Sequence, residues 1–378
     1  MALHEPSFSL GVEEEYLLVD RATRDLVSEP PPELIDRFEQ ELGAHFSPEF
    51  LRPQVEVGTP VRASTAEVRA DLEHLRRTVA GIAGGHGLGL IAASTHPFAR
   101  WRDQKHTDKP RYNILQEDMQ VVAQRLLICG MHVHVGIEDD ELRVDILNQV
   151  SYFLPHLLAL STSSPFWEGT ETGLQSYRLC VFDELPRTGL PERFESHDEY
   201  RRTVELMTAA GLIEDATKLW WDVRPSARFP TLEMRVTDVC TRLEDALCCT
   251  ALFRCICRML YRLRRDNQRW RIYTRTLVDE NRWRAQRYGI DEGMVDFGRG
   301  EIVPFPQLMD ELLELVREDA EHFGCVPEVE HARTIVERGT SSHMQAACYH
   351  EALEAGATAE EALRAVVDAV MEATLAGY

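Results

Sequence analysis

Gly11-Val12-Glu13-Glu14-Glu15-Tyr16-Leu17 is the stretch on which the fold turns. A β-strand sends successive side chains to opposite faces, so Glu13 and Glu15 share one face and Glu14 stands on the other. Three further stretches set polar residues among apolar neighbours in the same way. In Gln54-Val55-Glu56-Val57 a single acid stands between two valines. In Gly130-Met131-His132-Val133-His134-Val135-Gly136 the two histidines share a face, with Met131, Val133 and Val135 opposite. In Leu232-Glu233-Met234-Arg235-Val236 an acid and an arginine share a face. Strands that alternate rather than run continuously apolar suit an antiparallel sheet with one face covered by helices and the other open. The expected class is therefore α+β.

Working outward, β-rich runs are expected at 8–19, 53–57, 88–94, 127–137, 218–224 and 231–239. Helices are expected over 65–82, 114–126, 141–160, 195–210 and 244–264. The C-terminal stretch reads as wholly helical, over 307–323, 329–338, 344–355 and 358–375. Pro-rich breaks at EPPPE (29–33) and VPFPQ (303–307) mark loops. The second predicts the limit of a catalytic domain, residues 1–303, with a helical segment, residues 304–378, packed on the same domain. The glycine-rich run Gly84–Gly89 follows a helix and precedes a strand, the wrong order for a dinucleotide site, and reads as a helix end and turn.

The 378 residues are 44% hydrophobic, enough for a sizeable core, and carry 63 Asp and Glu against 41 Lys and Arg. A net charge of −22 argues against a nucleic-acid binder, whose phosphate-neutralising surface is basic, and against an anionic-membrane binder. The start, MALHEPSFSLGVEEEYLLVD, has no basic region followed by an apolar core, and no uninterrupted apolar run is long enough to span a bilayer. The nine cysteines include no CxxC pair, and Cys248, Cys249, Cys255 and Cys257 fall in a helical pattern as small buried hydrophobes. A cytoplasmic protein is expected.

There is no GxxxxGK[ST] phosphate loop, GxGxxG fingerprint, HExxH or GxSxG elbow. The chemistry then rests on the polar strand positions. Carboxylates gathered on one sheet face repel and call for counter-charge, most simply a divalent cation. Glu oxygens with at most one imidazole suit Mg²⁺ or Mn²⁺ better than zinc. Arg224 and Arg235, on neighbouring strands, offer planar and permanently charged donors to anionic oxygens. An acidic metal-holding face beside arginines is a design for phosphoryl transfer without a P-loop.

Seven segments carry a resemblance: GVEEEYLLVD (11–20), STHPFARW (94–101), GMHVHVG (130–136), SPFWEGTETGLQSYR (164–178), LPRTGLPERF (185–194), LWWDVRPS (219–226) and TLEMRVTD (231–238). In this order the chain resembles, over residues 8–300, the YbdK-like carboxylate–amine ligases, also called type 2 glutamate–cysteine ligases. The resemblance implies the glutamine synthetase-like catalytic fold, with a concave active-site face on an antiparallel sheet and helices packed behind it. It implies metal ligation by Glu13, Glu15, Glu56, His132 and Glu233, and a nucleotide near His134. Arg235 and Arg224 are implied as the catalytic, phosphate-stabilising arginines. Arg178 and Arg187 are implied carboxylate or phosphate partners, and Asn281, in ENRWRAQRYG (280–289), is a further candidate near the same site. Lysine occurs only at 105, 109 and 218, so arginine is common enough that Arg178 and Arg187 read equally well as surface charges. Asn281 reads first as structural.

The implied activity is ATP-dependent amide-bond formation through an acyl phosphate, as in a weak or true glutamate–cysteine ligase. ATP and Mg²⁺ or Mn²⁺ are the implied cofactors and small amino acids the substrates. A homo-oligomer, with a dimer favoured, is also implied. Three alternatives stay open: a metal-dependent amide or phosphate hydrolase on the same fold, a ligase acting on a different amine or a larger acid-bearing partner, and a non-catalytic regulatory or binding protein. The loop His96–Tyr112, which holds two of the three lysines, reads either as a lid over the acidic face or as a plain surface loop.

Overall fold

The computed structural model describes residues 4–377. Its main sheet has seven strands: β1 (Leu10–Asp20), β2 (Phe46–Pro48), β3 (Gln54–Gly58), β4 (Leu88–Ile91), β5 (Met131–Gly136), β6 (Val223–Pro225) and β7 (Thr231–Met234). Their order is β6-β7-β5-β1-β3-β2, with β4 pairing the far end of β1, and every pairing is antiparallel. Register decides which side chains meet. Glu13 lies opposite His132, Glu15 opposite Glu56, and Glu233 opposite both His134 and Arg224. Directly opposed side chains on one face are near neighbours, so the polar positions of five strands converge on one patch.

The helices of eight residues or more are α1 (Pro32–Leu42), α2 (Thr65–Gly85), α3 (Pro110–Met119), α4 (Asp140–Val150), α5 (Leu154–Ser161), α6 (His197–Ala209), α7 (Leu243–Arg265), α8 (Arg275–Tyr288), α9 (Phe305–Phe323), α10 (Val326–Arg338), α11 (Ser341–Glu354) and α12 (Ala359–Thr374). A capping box between Ser64 and Glu67 starts α2, and Gly87 at φ +74° turns the chain from its end into β4. That is the helix end and turn expected of the glycine-rich run. The central helix α7 is buried on all sides, with its four cysteines in the core. All nine cysteines are free thiols.

Behind the sheet the second acid of the glutamate triplet has a role of its own. Glu14 is fully buried and holds the equally buried Arg76 of α2 through two hydrogen bonds, of 2.9 and 2.5 Å. Tyr16 donates its hydroxyl to the same carboxylate at 2.5 Å. Arg76 also donates to the carbonyls of Cys240 and Thr241, just beyond β7, and to that of Thr374 at the end of α12. The rear face of β1 is thus not purely apolar. One guanidinium ties the central strand, the exit from β7 and the last helix together. The last helix closes on the sheet a second time, where the Ala92 amide donates to Thr374 Oγ1 at 3.0 Å.

Several elements depart from the expected pattern for local reasons. The helix expected over 141–160 is two, separated by a 3-10 turn at Ser151–Phe153, and Pro155 sits in the first turn of α5, where no amide is missed. The helix expected over 114–126 starts at Pro110 and breaks at Gln120, whose φ is +52°. The Pro-rich break at 29–33 runs straight into α1, since Pro32 is well placed in a first turn. The strand expected over 218–224 splits. Trp220–Trp221 pairs in parallel with Thr188–Gly189, and only Val223–Pro225 joins the main sheet.

Two buried histidines outside the cleft contribute to an acid limb of the fold's stability. His96 is held neutral, its Nδ1 accepting from the Ala99 amide at 2.9 Å and its Nε2 set on the Arg24 carbonyl, and burial pushes its pKa down to about 4. Burial likewise takes His156 to about 4, among Tyr152, Phe153 and Phe305. The folded pKa is depressed, so the unfolded chain binds more protons between about pH 6.5 and 4. Stability is complete above that window and is lost as pH falls through it, by up to about 3 kcal/mol per histidine. Urea unfolding at pH 7 and 4.5 is expected to show this fall, and His156→Phe to reduce it.

Candidate active site

The open face of the sheet forms a cleft of about 310 Å³. Glu13, Glu15, Glu56, His132, His134, Arg178, Arg224, Glu233 and Arg235 all line it. Among the described residues three groups bring ligand atoms within 4.8 Å of one another: Glu13 with His134 and Glu233, Glu13 with Glu56 and His132, and Glu15 with Glu49 and Glu56. Glu13 belongs to two of them and Glu56 to two.

The electrostatics show what such a cluster lacks. Burial pushes the Glu15 carboxyl up to about 8, reinforced by Glu49 and opposed by Arg178. Burial and then repulsion from Glu49, Glu13 and Glu15 hold Glu56 well above the carboxylate range. Glu13 is also raised by burial, but hydrogen bonds with His132 and His134 outweigh this and hold it well below that range. Half-buried carboxylates, two of which are raised by burial and then by their neighbours' charge, are suited to a hard divalent cation, which would supply positive charge. Each group is mostly carboxylate with at most one imidazole, a donor set that fits Mg²⁺ or Mn²⁺.

The other wall is basic. Arg224 holds Glu233 in a fork of 2.9 and 3.0 Å and spends a third nitrogen on the carbonyls of Thr217 and Leu219. Arg235 also pairs with Glu233 and lies 3.4 Å from His132 Nδ1. Burial opposes ionisation of Glu233, yet Arg235 and Arg224 hold its carboxyl far below the ordinary value. Arg178 is nearly inaccessible. It donates to the backbone carbonyls of Arg235 and Val236, and Gly130 leaves it room, since a Cβ there would lie 2.4 Å from its Nη2. A surface charge would not be buried in this way, so Arg178 belongs to the cleft.

Two candidates do not reach it. Arg187 packs over the Trp220 ring and donates to the Lys218 carbonyl, so it supports the wall from behind. Asn281 spends its amide on the backbone of Val295, accepting at 2.7 Å and donating at 2.9 Å. Its neighbour Arg282 is the residue of α8 that braces the site, bridging Asp222 between the two Trp-containing and Arg224-containing strands to Asp183. His134, expected near a nucleotide, stands among potential metal ligands, with Nδ1 on Thr231 Oγ1 at 2.9 Å and Nε2 3.6 Å from Glu13.

Four charged lining residues were not singled out from the sequence: Glu49, Arg111, Lys218 and Arg228. Glu49 lies just past a three-residue strand, too short for alternation to mark it. The loop His96–Tyr112 divides. Its first part is fixed by the buried His96 and Trp101, whereas Arg111 and Tyr112, at the start of α3, border the cleft, with the Tyr112 hydroxyl on the Pro48 carbonyl.

A sequence profile of the family described as Glutamate-cysteine ligase family 2 matches residues 9–369. The chain belongs to that family. It is thereby an ATP-dependent carboxylate–amine ligase. A Rhodospirillum rubrum protein named "Putative glutamate–cysteine ligase 2" is 62% identical over 99% of this ligase and 97% of that protein. A protein of the same name from Jannaschia sp. is 57% identical over 97% and 96% of the two chains. In three dimensions the ligase overlays a glutamate–cysteine ligase from Francisella tularensis, crystallised with AMP, at a TM-score of 0.70. The overlay covers all of this chain and 90% of that one, at 12% identity. A bifunctional glutathione synthetase from Pasteurella multocida matches at 0.68 and 15% identity, over 97% of this chain and 52% of that one. These two likenesses establish the fold, an antiparallel sheet with helices behind it. No helix among the described residues is long and apolar enough to cross a membrane.

Proposed function

We propose that the ligase joins the carboxyl group of glutamate to the amine of cysteine at the sheet's open face. The observation that carries this is a single cleft in which three interlocked acidic groups face Arg178, Arg224 and Arg235. Glu13, Glu15, Glu49, Glu56, His132, His134 and Glu233 would hold Mg²⁺ or Mn²⁺, which when bound neutralises phosphate charge. The substrate carboxylate oxygen attacks the γ-phosphorus of ATP, and ADP leaves with the bonding electrons. The acyl phosphate so formed is attacked by the amine nitrogen, phosphate departs with the electron pair of the acyl C–O bond, and the amine loses a proton. Arg235 steadies the transferring group, and Arg178 fits the carboxylate as a buried, planar donor. No nucleophilic side chain is required.

Residues 304–378 act in this reading as part of the catalytic body, consistent with the contacts of Thr374. A cytoplasmic homo-oligomer accords with it. Incubation with ATP, Mg²⁺, glutamate and hydroxylamine is expected to give a hydroxamate together with ADP. ADP without hydroxamate would instead indicate the hydrolase, and a screen of amine acceptors for ADP release tests cysteine.

A further inference from the structure

Among the described residues, the cleft holds one buried cation whose donors make no hydrogen bond. Arginine outnumbers lysine so heavily here that only positions 105, 109 and 218 carry lysine. Lys105 and Lys109 are exposed, whereas Lys218 is 8% exposed and lines the cleft. Its backbone is fixed by neighbouring arginines: Arg187 donates to its carbonyl at 3.1 Å, and Arg224 to the carbonyls on either side of it. The ammonium itself makes no hydrogen bond among the described residues. Its ion partner there is Glu214 at 3.7 Å, beyond hydrogen-bond reach and largely exposed.

The arginines nearby are differently placed. Four of the five N–H groups of Arg224 are spent on Glu233 and two carbonyls. Arg178 and Arg235 each set part of the guanidinium on a partner and keep a buried Nε without a hydrogen bond. Lys218 differs from these three arginines in that none of its donors is hydrogen-bonded among the described residues. A compact ammonium with three rotatable donors acts as a point charge and suits tetrahedral phosphate, whereas a planar carboxylate is better served by an arginine fork.

We infer that Lys218 is a nucleotide-binding residue of the ligase, its ammonium donating to the phosphate oxygens of ATP. This rests on the proposed reaction at the same cleft. The test compares the wild-type chain with Lys218→Met, Lys218→Arg and the surface control Lys105→Met. ATP binding is measured by calorimetry with Mg²⁺, and KM is measured separately for ATP and glutamate from ADP release. Lys218→Met is expected to weaken ATP binding and raise KM for ATP about tenfold or more, with KM for glutamate within about twofold. Lys218→Arg is expected to restore part of the loss, and Lys105→Met to match wild type. The thermal midpoint of Lys218→Met should stay near wild type, because no hydrogen bond is removed. Unchanged ATP affinity in Lys218→Met, or a shift confined to KM for glutamate, overturns the inference. Failure of the wild type to release ADP with glutamate and cysteine counts against the proposed substrates instead, and calorimetry still reads Lys218.

Discussion

Glu13→Gln is expected to lower ADP formation by roughly 10³-fold without loss of folding. Glu13 is the acid shared by two of the three ligand groups, standing across β1–β5 from His132 and 3.6 Å from His134. Glutamine keeps the shape of the side chain and removes its charge, so the cost falls on the cation and on the phosphates it would face. Stability moves the same way by a smaller amount. Hydrogen bonds with His132 and His134 hold the Glu13 carboxylate ionised in the folded chain, so the neutral amide in metal-free buffer is expected to lower the thermal midpoint modestly. Measuring turnover against Mg²⁺ concentration together with the thermal midpoint separates the two effects. Full turnover in Glu13→Gln would remove this residue from the site, and a collapsed midpoint would make it structural.

The second large effect belongs to the rear of the same strand. Arg76→Met is expected to destabilise the chain by about 3–5 kcal/mol, because the Glu14 carboxylate would be left buried without its counter-charge. The paired change Glu14→Met with Arg76→Met is expected to recover most of that loss, since neither desolvated charge then remains. Urea unfolding of the two single variants and the double variant closes the cycle. A cost below about 1 kcal/mol for Arg76→Met alone would show that water or a shifted partner replaces the guanidinium.

Much of the site was legible because strands have a period of two. Glu13 and Glu15, and His132 and His134, are each separated by one residue on a strand, Arg235 follows Glu233 by the same step just past its strand's end, and register brings them together. Where no period operates, the reading failed. Glu49 follows a strand too short to alternate, and Lys218 precedes a two-residue strand that leaves the main sheet. Abundance concealed function among the arginines, because Arg178, Arg187 and Arg282 look alike in sequence and differ only in what surrounds them. Asn281 and Arg282 are adjacent on α8, yet one holds the Val295 backbone and the other braces Asp222. The partnership of Glu14 with Arg76 spans 62 positions, beyond any local pattern.

Three identical letters in a row pose a problem of spelling. A slip of β1 by one residue would leave a glutamate pointing each way, so composition alone could not reject the misfolded pairing. Arg76 would take any of the three carboxylates, but only Glu14 has a tyrosine two residues on, and its hydroxyl completes the socket in one register only. With Glu13 or Glu15 drawn into that socket, Val12 or Tyr16 would turn to the front and the cleft would keep a single acid from this strand. The rear ion pair therefore proofreads the active face, letting a monotonous triplet encode two different environments without error.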